Sequence, residues 1–206
     1  YSGILCPVMN ARRNQVYNAL FESDGSTIKR ICPDRALSIE ELDKVTPEMA
    51  LAHPNWKMGA KITIDCATMV NKGLEIMEAC WLFNCEVDKV KVLIHPQSIV
   101  HSMVEYAGGG IIAQLGIPDM HLPIQYGLTY PNRRNIKGER LDFTKYDALT
   151  FAKPDTDTFK ALSLAYSAGR QGGIIPTVFN SADEAAVELF LKEKIGFTDI
   201  FTLVKN

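Results

Sequence analysis

Hydrophobic and polar positions alternate along this chain in two rhythms. In "VKVLIHP", Lys91 points away from Val90 and Val92, a period of two that predicts a strand. "IVHSMVEYAGGGIIAQLG" predicts two strands around a triple-glycine turn, and "TIKRIC" a short strand. Elsewhere the period is helical. "NARRNQVYNALF" predicts a helix with Val16, Leu20 and Phe21 on one side. A long helix is predicted from about Ala67 to Phe83, where Val70, Leu74, Met77 and Trp81 recur at i, i+4, i+7 and i+11 as a stripe for burial. "TFKALSLAYSAG" predicts a helix stopped by Gly169. "NSADEAAVELFLKEKIG" predicts a well-capped helix, and "FTDIFTLVKN" the beginning of another. Start signals sharpen the picture. Ser38 and Glu41 form a capping box in "SIEELDKV", and Thr46 caps "TPEMALAH" with Pro47 in the first helical position. "HPNWKMG" is a turn-rich loop, and "PDMHLPIQYGLTYP" a helical segment interrupted by Pro123 and ended near Pro131. The sum is a mixed sheet covered by helices, α/β to α+β, followed by the start of a helical C-terminal region.

Composition narrows the class. At 206 residues and 47% apolar, the chain can bury a sizeable core as one large domain or two small ones. Net charge is −2, and Arg133-Arg134 is the one basic run, so nucleic acid is excluded as a first partner. No apolar stretch reaches the roughly 18–20 residues that cross a bilayer. Cys6, Cys32, Cys66, Cys80 and Cys85 are odd in number and irregularly spaced, with no CxxC. That disfavours a zinc site or a disulfide framework and favours a reducing compartment. A chain that opens on "YSGILCPV" and stops inside a helical pattern reads as part of a longer one.

The chemistry-bearing stretch is "DCATMVNKGLE", residues 65–75. In a helix Asn71, Lys72 and Glu75 share one polar stripe. Two readings stand open. Lys72 and Glu75 form an ordinary solvated ion pair. Alternatively, Asn71 and Lys72 donate to a phosphate or hydroxyl while Glu75 offers oxygen to a hard divalent cation.

"HPNWKMG", "DCATMVNKGLE", "IHPQSIVHSMVEY" and "PDMHLPI" together resemble, in order and spacing, the successive signatures of 1-deoxy-D-xylulose 5-phosphate reductoisomerase. The resemblance runs from about Ile28 to the end. "TVFNSADEAAVELFLKEKIGFTDI" is similar to the stretch leading into that family's C-terminal helical bundle. It implies a catalytic and connecting domain over 1–150, with substrate lid and dimerisation sheet, then a linker and the beginning of the helical domain over 151–206. It implies conversion of 1-deoxy-D-xylulose 5-phosphate to 2-C-methyl-D-erythritol 4-phosphate with NADPH and Mg²⁺ or Mn²⁺, in the non-mevalonate route to isoprenoids. A homodimer in the cytoplasm is implied, or in the plastid stroma or apicoplast of a plastid-bearing eukaryote.

Roles follow residue by residue from the resemblance. Glu75 matches a metal ligand. Asn71 and Lys72 match substrate contacts. His101 matches an active-site histidine, and His53 a phosphate-side histidine in a mobile lid. Trp56 matches the lid indole that covers the substrate, and Met58 and Met120 match apolar neighbours of the nicotinamide. Cys66 stands where the family has a phosphate-contacting serine. Asn10 and Arg12, in "PVMNARRNQVYN", occupy the positions of the family's other two carboxylate ligands. Asn10 offers one neutral oxygen and Arg12 a fixed positive charge. No GxGxxG-type strand–loop–helix occurs, and "CPDRALSIEEL" lacks the family's Ser-Gly-Gly segment. The expectation is therefore a reductoisomerase-type chain that is inactive in isolation. The alternative is a non-catalytic paralogue serving as a dimerisation or phosphosugar-binding module.

Overall fold

The computed structural model describes residues 42–52, 58–135, 137–157 and 159–205 in full, and the backbone alone of six strands before them. These strands are β1 (Ser2–Leu5), β2 (Val8–Arg12), β3 (Gln15–Asn18), β4 (Phe21–Asp24), β5 (Ile28–Arg30) and β6 (Arg35–Ser38). They pair antiparallel as two three-stranded sheets, β1-β4-β5 and β2-β3-β6. The helix expected over "NARRNQVYNALF" is therefore corrected to strands β2, β3 and β4. Val16, one of its helically spaced apolar residues, also fits Gln15-Val16-Tyr17-Asn18 as part of an alternating run, and cross-strand pairing decides between the periods. The strand expected in "TIKRIC" is present as β5. Ser38 ends β6, and Glu41 of the expected capping box lies outside the described residues.

The chain forms two compact units, residues 1–92 with 154–206, and residues 93–153. In the first, α1 (Pro47–Ala50) is capped as expected, the Thr46 hydroxyl accepting from the Met49 amide at 3.4 Å. Helix α2 spans Ala60–Thr68 and α3 spans Val70–Phe83. The single helix expected from Ala67 thus starts seven residues earlier and breaks at Met69, which adopts φ 64°, ψ 13°. Helices α5 (Lys160–Gln171), α6 (Ile175–Leu191) and α7 (Asp199–Lys205) complete the unit.

Its core is built on close approach. Val70 and Met77 of α3 pack with Ala161, Ala165 and Ala168 of α5 and Phe179 of α6. Gly73 sits at the contact, where an added Cβ would lie 2.6 Å from the Ala165 Cβ. The expected stripe holds at Val70, Leu74 and Met77, Leu74 packing partly buried against the core, and fails at Trp81. Val70 and Met77 are buried, but Trp81 is 84% exposed, because the last turn of α3 runs beyond the buried stripe with Leu82 and Phe83 also exposed. Gly169 does not stop α5. It is small because Val87 packs on it, with an added Cβ 2.9 Å from Val87 Cγ2. The stop is Gly172, at φ +64°. Helix α6 begins five residues before the expected Asn180, with Pro176 in its first turn and no side-chain cap.

The second unit holds the expected hairpin, β7 (Val100–Glu105) and β8 (Ile111–Leu115). Its glycine turn closes with Tyr106 N donating to Gly110 O at 2.9 Å and Gly109 N to Tyr106 O at 2.8 Å. "VKVLIHP" forms no ladder, only one antiparallel bridge between Ile94 and Ala152. Pro96 and Pro154, just beyond it, have no N–H to extend the pairing. Helix α4 (His121–Thr129) is not interrupted by Pro123, whose third helical position needs no amide donor. The α/β to α+β class holds, and the described pairing is antiparallel throughout. No helix among the described residues is long and apolar enough to cross a membrane.

The α3–α5 contact yields a test. Gly73→Ala gains about 1 kcal/mol of helix propensity but overpacks the contact by about 1–3 kcal/mol, so a net loss is expected. Adding Ala165→Gly relieves the clash, and the double variant is less destabilised than the sum of the singles in urea unfolding. Strict additivity would show that the contact does not constrain the pair.

Candidate functional site

The break at Met69 creates the first cluster. In a straight helix residues five apart point about 140° apart around the axis. Because the chain turns left-handed at Met69, the Asn71 amide instead donates to the Cys66 sulfur at 3.3 Å. One turn on, Lys72 Nζ donates to both oxygens of Glu75, at 2.8 and 2.7 Å. Burial pushes the Cys66 thiol above its ordinary value, Lys72 opposes this, and Asp65 and Glu75 add to the rise. Cys66, Asn71, Lys72 and Glu75 thus come together on one side of the α2–α3 elbow. Met58 is half-buried just before α2.

In the second unit, His101 falls where the β7–β8 register shifts between Val100 and Ser102. Such a bulge re-aims a side chain. The ring is held at both nitrogens, Nδ1 3.0 Å from Gln114 Oε1 and Nε2 3.0 Å from the Ser98 carbonyl oxygen. Gln114 is itself oriented, its amide donating to Leu115 O at 3.0 Å. Ser98 adopts φ 51°, a conformation unusual for a residue with a side chain. Beside the ring, Gly116 leaves space that a Cβ would fill within 3.6 Å of His101 Cε1 and 3.3 Å of Leu122 Cδ2. His95 underpins the loop. Its Nε2 accepts from Ile99 N at 3.1 Å, so Nδ1 carries the proton and donates to Thr150 O at 2.9 Å. Met120 is exposed at the start of α4, beside Asp119. The His121 backbone amide and then its ring hold the Asp119 carboxyl below its usual range.

The remaining expected residues fall elsewhere. His53 and Trp56 lie outside the described residues. Asn10 and Arg12 are in β2, opposite Val16 and Gln15, and their side chains lie outside the described residues. Ser98 and Gln114 went unrecognised as partners of His101, although both lie within the quoted runs. Among the described residues no group of three or more His, Cys, Asp and Glu side chains could hold a metal. Glu75 brings one carboxylate to the elbow, already paired with Lys72, and that donor set does not fit a hard dication.

A model of the 1-deoxy-D-xylulose 5-phosphate reductoisomerase C-terminal domain matches residues 8–83. A second, of the DXP reductoisomerase C-terminal domain, matches residues 115–206. The chain is 52% identical over 204 residues to the 1-deoxy-D-xylulose 5-phosphate reductoisomerase of Clostridium botulinum (strain Alaska E43 / Type E3), covering 96% of this chain and 53% of that protein. It is 49% identical over 206 residues to that of Clostridium perfringens (strain 13 / Type A), covering 100% of this chain and 52% of the relative. Among solved structures, the Zymomonas mobilis enzyme in complex with NADPH superposes with TM-score 0.75 at 49% identity, over 81% of this chain and 42% of that one. A DOX-P reductoisomerase in complex with NADPH, fosmidomycin and magnesium superposes with TM-score 0.79 at 48% identity, over 82% and 41%. The chain spans about half the length of the curated relatives it matches. With both domain models and these relatives in agreement, the chain belongs to the 1-deoxy-D-xylulose 5-phosphate reductoisomerase family.

Proposed function

We propose that this chain carries the phosphosugar-handling part of an NADPH-dependent reductoisomerase that converts 1-deoxy-D-xylulose 5-phosphate to 2-C-methyl-D-erythritol 4-phosphate. The observation that supports this best is the elbow at Met69, which gathers a thiol, an amide, an ammonium and a carboxylate inside a stretch matched by the family model. In this reading residues 1–150 are the catalytic and connecting region and 151–206 begin the helical domain. The protein works in the cytoplasm.

The side chains divide the work. Lys72 and Asn71 donate to the phosphate and hydroxyl oxygens of the sugar, charge-assisted in the case of Lys72. Cys66 contributes a weak donor beside them. His101, fixed at the bulge, is assigned the part of the family's active-site histidine. His53 and Trp56, which lie outside the described residues, are assigned to the substrate phosphate and to the exclusion of water. Met58 and Met120 are each assigned as an apolar neighbour of the nicotinamide through the family resemblance alone. A divalent metal held in part by Glu75 would supply Lewis-acid polarisation of the substrate ketone. Since the described donors do not build its site, no step is routed through it, and Glu75 is assigned only as one ligand. The absence of a GxGxxG element argues that the chain alone does not oxidise NADPH.

One observation favours a second reading, a non-catalytic module of dimerisation or phosphosugar binding. Lys72 and Glu75 satisfy one another, so a ligand must separate them.

Three measurements test these assignments. Lys72→Ala is expected to weaken binding of a phosphosugar by about 1.5–3 kcal/mol, read by calorimetry, with stability changed by only a few tenths. Unchanged affinity would leave Lys72 as a solvated partner of Glu75. Asn10→Asp with Arg12→Glu turns the local ligand charge from repulsive to attractive, so Mn²⁺ affinity by electron paramagnetic resonance should rise well above the parent, and an equal affinity would remove both positions from the metal site. The third concerns assembly. Val104 and Ile112 face each other across β7 and β8 and are 54% and 64% exposed. A homodimer through this hairpin is expected in light scattering at tens of micromolar, and Val104→Glu should shift it to monomer. Monomer alone for the unmodified chain overturns the assignment.

A further inference from the structure

Helix α2 carries a second charge cluster that the proposed chemistry does not use. Lys61 Nζ donates to Asp65 Oδ2 at 2.7 Å and to Asp183 Oδ2, on α6, at 2.6 Å. The two carboxyls are sealed from solvent, Asp65 at 1% and Asp183 at 0% exposure. Other buried polar groups of α2 are satisfied, Thr63 Oγ1 donating to Gly59 O at 2.9 Å and Thr68 Oγ1 to Ile64 O at 3.0 Å. The outer oxygens of the two aspartates are not. Asp65 Oδ1 and Asp183 Oδ1 are buried with no hydrogen-bond partner among the described residues.

The charge count is unbalanced. One ammonium faces two carboxyls, leaving a net negative charge in a place screened from water if both are ionised. Buried unpaired charge is among the most costly arrangements in a protein, and each orphaned acceptor adds its own penalty. A single proton removes both problems, since a carboxylic O–H is a donor that neither carboxylate otherwise has. We propose that the buried Asp65 carboxyl keeps a proton at mildly acidic pH, on the side away from Lys61 and facing Asp183, making the α2–α6 junction a proton-dependent latch.

The surroundings fit. Burial raises Asp65, the Lys61 hydrogen bond opposes it, and the negative charge of Asp183 adds to the rise, leaving Asp65 at about 6 against an ordinary 3.8. Burial lowers Lys61, but its bonds to Asp183 and Asp65 outweigh this and leave it raised, hence charged. Lys61 from its own helix and Asp183 from α6 are the charged groups that face Asp65. Lys72 and Glu75 of α3 act on Cys66 instead, while Glu48 of α1 and Glu184 of α6 are exposed.

The sign is fixed by the raised value. The folded state binds the proton more tightly than the unfolded chain, so the stabilisation is fully present below about 3.8 and is lost as pH rises through about 6. The two values differ by about two units, so the pair changes the unfolding constant by on the order of a hundredfold across that window.

The test is the unfolding equilibrium of the 206-residue chain in urea as a function of pH, for the parent and for Asp65→Asn. Asparagine keeps the shape, supplies N–H donors in place of the proton and does not titrate. The parent is expected to lose stability relative to Asp65→Asn between about pH 4 and about pH 6, by the hundredfold above. Parallel pH profiles overturn the proposal. Infrared spectra of the folded parent supply a check that no variant's folding can spoil. A protonated-carboxyl band should persist at about pH 5, above the ordinary range of exposed carboxyls, and fade through about pH 6. A folded parent with no such band at about pH 5 also overturns the proposal.

Discussion

Helices α3 and α5 meet where only hydrogen fits between them, and the candidate site depends on that contact. With Gly73 against Ala165, rotation of α3 about its axis is fixed. At about 100° per residue, Val70, Gly73 and Met77 fall within one narrow arc, and Asn71, Lys72 and Glu75 fall on the far side. The same small-residue contact that buries Val70 and Met77 therefore turns the polar stripe outward. The alanines of α5 matter for what they lack. Ala161, Ala165 and Ala168 let the backbones approach, and Phe179 and Met77 fill the flanks.

The break at Met69 is the second constraint, and it works against local preference. A left-handed conformation costs a non-glycine residue about 1 kcal/mol or more. Packing overrides that cost, because Val70 immediately after it is fully buried. The return is a thiol–amide contact that a continuous helix forbids. His101 shows the same trade in the other unit, where Ser98 takes a strained backbone and its carbonyl meets the imidazole.

What could be read from the sequence was whatever depended on local periodicity. The hairpin around Gly108–Gly110, the Thr46 cap and the buried positions Val70 and Met77 are all local. The region before β6 was misread because Val16, Leu20 and Phe21 satisfy a helical spacing while their neighbours satisfy alternation, and pairing settles the matter. Gly169 was misread because a glycine can end a helix or admit a neighbour, and only Val87, distant in sequence, distinguishes them. The site residues were named through family resemblance, but their contacts were not legible. Cys66–Asn71 needs the unpredicted break, and His101–Ser98 needs the bulge. Asp183 lies 122 residues from Lys61, beyond any local pattern.

Lys61 at the start of α2 and Lys72 on α3 stand in opposite electrostatic settings. Lys61 is shared by two buried carboxyls that would be stranded if it left, so its release is costly and its role is architectural. Lys72 meets a single carboxylate at the surface, and such a helical pair contributes only about 0.2–0.5 kcal/mol. Under the proposed function, a dianionic phosphate would compete for Lys72 with a charge-assisted bond of about 1.5–3 kcal/mol. In that proposal Glu75, freed from Lys72, would regain an unpaired carboxylate as the ligand binds. The charged residues of α2 and α3 thus divide into an exposed pair that is cheap to separate and, with Asp183 of α6, a buried triad that holds the frame.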